Sequence, residues 1–380
     1  MLISSRHIRA PTPPSTTRAS EHVLASADLL EQICESLEQE DCAAAAANRD
    51  WRSAWVATAA GRRKLSKRKP FPKPDSLDFD TSEIMMTATP NGEMLVIVER
   101  KKNVHIFDRS MRRLRHVKCR QPFAAVHPNA AKLTASNDSI YFGGEYPNIT
   151  RISIGNLGIL AATVIGDSDD HYYGVDDMLL SGDTLFAVGY FGGGDPPDEL
   201  AAYDSRTLKR RFTFGVGLFR RCALGLAQVG TELFVADNSS RRVQVFSLAG
   251  EPLRVIERSP LSWWAPSSLI AVDERLYVSE TYWEEEEVDA EASPVPTAEK
   301  KAAREKAEES IFVMSTTGAL LQKYELATGA TGNEAGLKVR SMCAFAGRLF
   351  VHASTKQRTQ PNPNVKPPAQ SYQLVELQGL

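Results

Sequence analysis

The feature that most constrains this chain is a short apolar segment that recurs six times. It reads EMLVIVE around Leu95, SIYFGGE around Tyr141, TLFAVGY around Phe186, ELFVADN around Phe234, ERLYVSE around Tyr277 and GRLFVHA around Phe350. The steps between those six residues are 46, 45, 48, 43 and 73. Four of them match a period of roughly 40–50 residues, enough for four short strands and their turns. Residues 222–256 show one such unit whole. Its apolar runs are Leu224–Gln228, Leu233–Ala236, Val243–Leu248 and Leu253–Ile256, separated by Val229-Gly230, Asp237-Asn238-Ser239-Ser240 and Ala249-Gly250. Strand-length runs punctuated by Gly, Asn, Asp and Ser predict an antiparallel meander, because those residues enter turn conformations cheaply.

A single four-stranded unit cannot cover both of its faces, so repeated units must stack. Six of them over residues 76–380 predict a mainly β fold, a six-bladed β-propeller. The long fifth step has an identifiable source. Residues 283–310, WEEEEVDAEASPVPTAEKKAAREKAEES, carry an acidic run, a Pro-containing middle and no apolar period. They read as a solvated insertion between the second and third strands of blade five, with at most a transient helix over 298–309. Blade six supplies only three strands before the chain ends, while SLDFDTS at 76–82 has no hairpin partner. Leu77 and Phe79 are therefore expected in the outer strand of blade six, closing the ring and protecting its edge.

Blade four, with Leu226, Gly230, Leu233-Phe234-Val235-Ala236-Asp237, Arg241-Arg242-Val243, Val245 and Gly250, resembles an NHL repeat. Blade one is similar to it more loosely, through Thr87-Pro90-Asn91-Gly92 and Val104-Ile106-Phe107-Asp108. The resemblance implies a propeller that binds protein or RNA. An Asp at the end of the second strand can accept backbone N–H groups of the following turn, and Arg241 beside the third strand is expected to pair with Asp237 as scaffold.

Residues 21–60 have a different period. Leu29, Leu30, Ile33, Cys34 and Leu37 line one face of an amphipathic helix with Ser26 as its N-cap. A second helix is expected from Asp41 to Trp55, with Trp51 and Trp55 on one face. Leu29-Leu30-x-x-Ile33, Leu37 and Ala47-Asn48-Arg49-Asp50-Trp51-Arg52 resemble an F-box. Ala25-Ser26 stands where that family has Leu-Pro, and Cys42 where Leu is usual. The resemblance implies a Skp-type adaptor of a cullin–RING ubiquitin ligase as partner, bound through Leu29, Leu30, Ile33, Leu37 and Trp51, with the propeller holding a protein target. A helical cap packed on the propeller is the other reading of the same segment.

Residues 61–75 read as a linker, whose first fourteen residues, GRRKLSKRKPFPKP, hold seven basic residues and no acid. The run is a solvated tether or a nuclear-localisation or RNA-touching patch. Residues 1–20 lack acids and carry Arg, Ser and Pro, which suits a disordered tail or a transit peptide. No apolar run reaches the ~20 residues that span a bilayer. The formal net charge of -2 gives no global attraction to nucleic acid or membrane. Five scattered cysteines favour a reducing compartment, so the expected location is cytoplasmic, with the nucleus open through the basic run.

Catalytic motifs are missing: no G-x-S-x-G, P-loop, H-E-x-x-H or Cys/His pairing occurs. Asp167, Asp169, Asp170, His171, Asp176 and Asp177 are oxygen-rich, but their spacing fits no EF-hand loop. The expectation is therefore no catalytic residue, no metal and no cofactor, and a chain that is not an enzyme. Converging acids on the channel axis would be the signature of a propeller hydrolase or lyase. Recognition should fall on loops with aromatic and Arg residues, namely Tyr146, Tyr190, Phe191, Arg220, Arg221, Trp263 and Trp264. Trp263 and Trp264 could equally wedge between blades as core.

Overall fold

The computed structural model describes residues 68–70, 84–99, 103–118, 132–143, 148–164, 174–190, 199–219, 223–257, 265–280, 310–326, 337–355 and 372–378. They form 24 strands in six antiparallel four-stranded sheets. A first short strand, β1 (Arg68–Pro70), precedes blade one, which is β2 (Ile84–Ala88), β3 (Leu95–Glu99), β4 (Asn103–Phe107) and β5 (Arg113–Lys118). Blade two is β6 (Lys132–Ala135), β7 (Ser139–Gly143), β8 (Asn148–Ser153) and β9 (Ile159–Val164). Blade three is β10 (Gly174–Ser181), β11 (Thr184–Tyr190), β12 (Glu199–Asp204) and β13 (Arg210–Phe214). Blade four is β14 (Ala223–Val229), β15 (Glu232–Asp237), β16 (Arg242–Ser247) and β17 (Pro252–Glu257). Blade five is β18 (Pro266–Val272), β19 (Arg275–Glu280), β20 (Ser310–Ser315) and β21 (Leu320–Glu325). Blade six takes β22 (Leu337–Phe345), β23 (Arg348–Thr355) and β24 (Tyr372–Gln378), and β1 completes it.

The first strand of each blade abuts the first strand of the next. β2 touches β6, β6 touches β10, β10 touches β14, β14 touches β18, β18 touches β22, and β22 returns to β2. The ring is closed, and its core is divided among the six seams. Phe186, Leu200, Leu226 and Phe246 fill the seam between blades three and four; Phe234, Val245, Leu276 and Phe312 fill the next. The recurring aromatic faces the following blade in each case: Tyr141, Phe186, Phe234, Tyr277 and Phe350 are all 2% exposed or less. In blade one, Val96 occupies that position, and Leu95 packs in the opposite seam against Phe350. A shift of one residue along a strand changes the face, so Leu95 marks the repeat but sits one place off its phase.

Blade four follows the sequence reading to within one residue at every strand end. Ser310, counted with the insertion, instead opens β20 and is buried; residues 281–309, with the expected transient helix, lie outside the described residues. The closing strand differs. β1 pairs antiparallel with β24 in the register Arg68 to Leu377, Lys69 to Glu376 and Pro70 to Val375. The ring is thus latched by residues from the expected linker, not by Leu77 and Phe79, which lie outside the described residues. The reason is that an outermost strand has one hydrogen-bonded side and little to bury. β13 and β17 carry mostly exposed residues. Apolar alternation is therefore a poor guide to an outer strand, and Pro is tolerated on such an edge.

Candidate functional site

Each blade begins with its inner strand, so six strand starts gather at one end of the central channel. Four of those inner strands are irregular near their start, between Val175 and Asp177, Ala223 and Leu226, Pro266 and Leu269, and Val339 and Ser341. A bulge re-aims side chains and frees backbone groups that a regular ladder would occupy. The freed groups here are used between blades. Asp177 Oδ2 accepts the Leu226 N–H at 2.8 Å, tying blade three to blade four, while Oδ1 accepts the Met178 N–H at 2.9 Å. Between blades four and five the backbones themselves meet: a Cβ on Gly225 would lie 2.4 Å from the Ser267 carbonyl oxygen and 2.8 Å from the Leu269 nitrogen. Only glycine fits that approach.

The chemistry at this end is of mixed sign. Lys132 opens β6, Asp176 and Asp177 sit on β10, and Ser267 and Ser268 on β18. Arg340 lies on β22, its Nε donating to Ser354 Oγ at 2.8 Å. Burial pushes the Asp177 carboxyl up to about 6, against the opposing charge of Lys132 and the two N–H donors. Asp176 is also raised by burial, with Lys132 pulling the other way. Both remain half-buried, as groups lining a narrow channel would be. Among the described residues Asp176 accepts no hydrogen bond. An acid titrating near 6 can give or take a proton at physiological pH, and a neighbouring acid can hold a polar or cationic group.

Other polar groups are scaffold. Asp237, fully buried at the end of β15, accepts from Arg242 Nε at 2.8 Å and from the Ser240 N–H at 3.2 Å. The pairing residue is Arg242, where Arg241 was expected; Arg241 turns the chain with a φ of 58°. His105 is 3% exposed and stacks on His116 at 4.6 Å, and burial holds it down to about 4. It packs as an ordinary strand-face residue. Cys343 is buried, which pushes its thiol up to about 12 and makes it inert.

Of the residues singled out from sequence, Leu29, Leu30, Ile33, Leu37, Trp51, Tyr146, Phe191, Arg220, Arg221, Trp263 and Trp264 lie outside the described residues. Tyr190 ends β11 with its backbone opposite Gly174, which brings that position to the start of β10. Asp167, Asp169, Asp170 and His171 also lie outside the described residues. Among the described residues no three His, Cys, Asp or Glu converge as metal ligands. No described helix is long and apolar enough to cross a membrane. Lys132 was missed because it lies 44 residues from Asp176 and meets it only through ring closure.

No family model matches the chain, and no curated protein matches it. Solved structures do. One is a calcium-binding protein, regucalcin, from Agrobacterium tumefaciens, 11% identical, with a TM-score of 0.48 over 79% of this chain and 94% of that one. The fold rests on the six four-stranded sheets and the contacts that close them into a ring. The expectation that the chain is not an enzyme is corrected at this point. Two acids that burial pushes up, Asp176 and Asp177, stand side by side on the inner strand of blade three. Recognition alone cannot be assigned from this fold.

Proposed function

We propose that the chain is a substrate receptor of a cullin–RING ubiquitin ligase, in which residues 21–60 dock a Skp-type adaptor and the propeller holds a protein target. The observation that carries the reading is Leu29-Leu30-x-x-Ile33 with Leu37 and Arg49-x-Trp51-Arg52, an F-box-like pattern placed upstream of a propeller that closes on itself. A self-closed ring suits this role, since it is a rigid frame for the loops that would meet a target. Co-purification of the full chain with a Skp-type adaptor tests it. Binding by the intact chain that is lost in Leu37→Asp, with an unchanged circular dichroism spectrum, supports the proposal. An intact chain that leaves the adaptor unbound at micromolar concentration overturns it.

A second reading, a propeller hydrolase or lyase, is favoured by Asp176 and Asp177 alone. It expects turnover of an ester, lactone or uronide substrate that falls at least 100-fold in Asp176→Asn. A substrate panel without turnover above the buffer rate removes it.

A further inference from the structure

The charge of this chain is balanced as a whole, with 45 basic and 47 acidic residues, but it is unevenly spread. Residues 100–120 hold nine Lys and Arg against a single acid, Asp108, and residues 61–74 hold seven against none. Ring closure puts the described parts of both runs on the outer strands of adjacent blades. The first run supplies β5 of blade one, and the second supplies β1 of blade six. Those blades share a seam filled by Ile84, Leu95, Phe350 and Leu374. Across it, Arg348 Nη2 donates to the Arg109 carbonyl at 2.7 Å. Arg348 stands opposite Gln378 on β24, one residue beyond the Leu377 that pairs with Arg68. The Arg68 end of β1 and the turn leading into β5 therefore lie at the same end of the rim.

Little on blade one neutralises this charge. Arg109 pairs with Glu93 and Arg112 with Asp108, each at 3.1 Å, and both arginines stay exposed. Arg115 donates to the Ile154 carbonyl at 2.8 Å and to that of Gly155, which fixes the guanidinium without cancelling its charge. Among the described residues no carboxylate pairs with Arg113 or Arg115. His116, beside them, is exposed and lies flat over His105, with ring centroids 4.6 Å apart and planes 9° from parallel. A fixed aromatic ring among cations suits a single-stranded nucleic acid, whose phosphates meet the cations while a base stacks on the ring. A duplex keeps its bases stacked inside and has no use for that ring.

We propose that the rim formed by β5 and β1 binds a single-stranded nucleic acid along its phosphate backbone, with a base stacked on His116. Charge complementarity selects the occupant, because two basic runs far apart in sequence gain an offsetting partner together. The contact draws on neither the adaptor-binding segment nor the acids of the channel, so it stands or falls separately from both.

Fluorescence anisotropy of a labelled oligouridine RNA of roughly 20 nucleotides, titrated with the full chain, reads the outcome. Four phosphate contacts, two from each strand, should weaken binding roughly 50-fold between about 50 and 200 mM salt. Arg113→Gln with Arg115→Gln should weaken it at least ~10-fold at about 50 mM salt and halve the salt dependence, and so should Arg68→Gln with Lys69→Gln. Arg113→Lys with Arg115→Lys keeps the charge and should keep the binding, which separates charge from any loss of fold. His116→Ala should weaken binding at least ~5-fold with the salt dependence unchanged, and His116→Tyr should restore it. Lys209→Gln with Arg210→Gln removes the same charge from exposed positions of blade three and should change nothing. RNA left unbound at about 50 mM salt and ~50 µM protein overturns the proposal. So does binding that the blade-three pair weakens as much as the other pairs, or a chain that gathers on phosphatidylserine vesicles but leaves the RNA free.

Discussion

Neutralising Asp177 should make the propeller more stable at pH 7.5 and leave its stability nearly unchanged at pH 5. The carboxyl titrates near 6 in the folded ring, about two units above its unfolded value, because burial disfavours its charge. Between those two pKa values the folded state binds more protons than the unfolded one, so stability falls as pH rises from about 4 to about 6. At ~1.4 kcal/mol per unit, the charged form costs at most about 3 kcal/mol above pH 7. Water in the channel screens part of that, leaving about 2 kcal/mol. Asp177→Asn removes the cost, but its amide can satisfy only one of the Leu226 and Met178 N–H groups, which returns about 1 kcal/mol. At pH 5 a little over half of that cost is already present, because the unfolded carboxyl has ionised while the folded one has not. The variant should therefore gain about 1 kcal/mol at pH 7.5 and roughly break even at pH 5. Urea denaturation of both proteins at the two pH values, followed by far-ultraviolet circular dichroism, measures the difference. A wild-type-minus-variant difference that is the same at both pH values would refute the reasoning, because no other titrating group differs between the two chains.

Gly225→Ala should destabilise by at least about 2 kcal/mol, since its new methyl would overlap the Ser267 and Leu269 backbone; a melt would show it. Arg242→Ala leaves the Asp237 carboxylate buried without its guanidinium and should cost about 3 kcal/mol in urea denaturation, with Arg241→Ala far milder. A chain beginning at residue 76 lacks β1 and exposes β24. It should be less stable than one beginning at residue 65 by on the order of 1–3 kcal/mol, and more prone to aggregate on light scattering.

What could be read from sequence follows what each strand has to bury. The second strands, clamped between neighbours and covered on both faces, repeat their aromatic at Tyr141, Phe186, Phe234 and Tyr277, so the blade count follows from them. The outer strands bury little, which is why Leu77 and Phe79 looked like a closing strand and Arg68–Pro70 did not. Arg241 and Arg242 are adjacent and chemically alike; the turn that throws Arg241 to positive φ decides which one reaches Asp237. The acids of β10 were read only as part of an oxygen-rich stretch with Asp167, Asp169, Asp170 and His171, and their meaning was not visible. It depends on Lys132 from the preceding blade and on a bulge that frees the Leu226 N–H, and neither leaves a local signature. The F-box-like segment and the aromatic loop residues lie outside the described residues, so their roles rest on sequence alone.

The latch between β1 and β24 imposes an order on synthesis. The first strand of the ring emerges from the ribosome about 300 residues before its partner at Val375. At 5–20 residues per second that is a wait of roughly 15–60 s, long against the time in which single blades can form. Five blades can settle in turn behind the growing end, but the sixth cannot be finished until the last strand is released. Residues 68–70 must stay available through that interval, and their Arg-Lys-Pro composition keeps them from capturing a wrong edge meanwhile. A nascent chain arrested before residue 372 should accordingly be cut by trypsin after Arg68, Lys69 being shielded by Pro70, and full release should end that sensitivity.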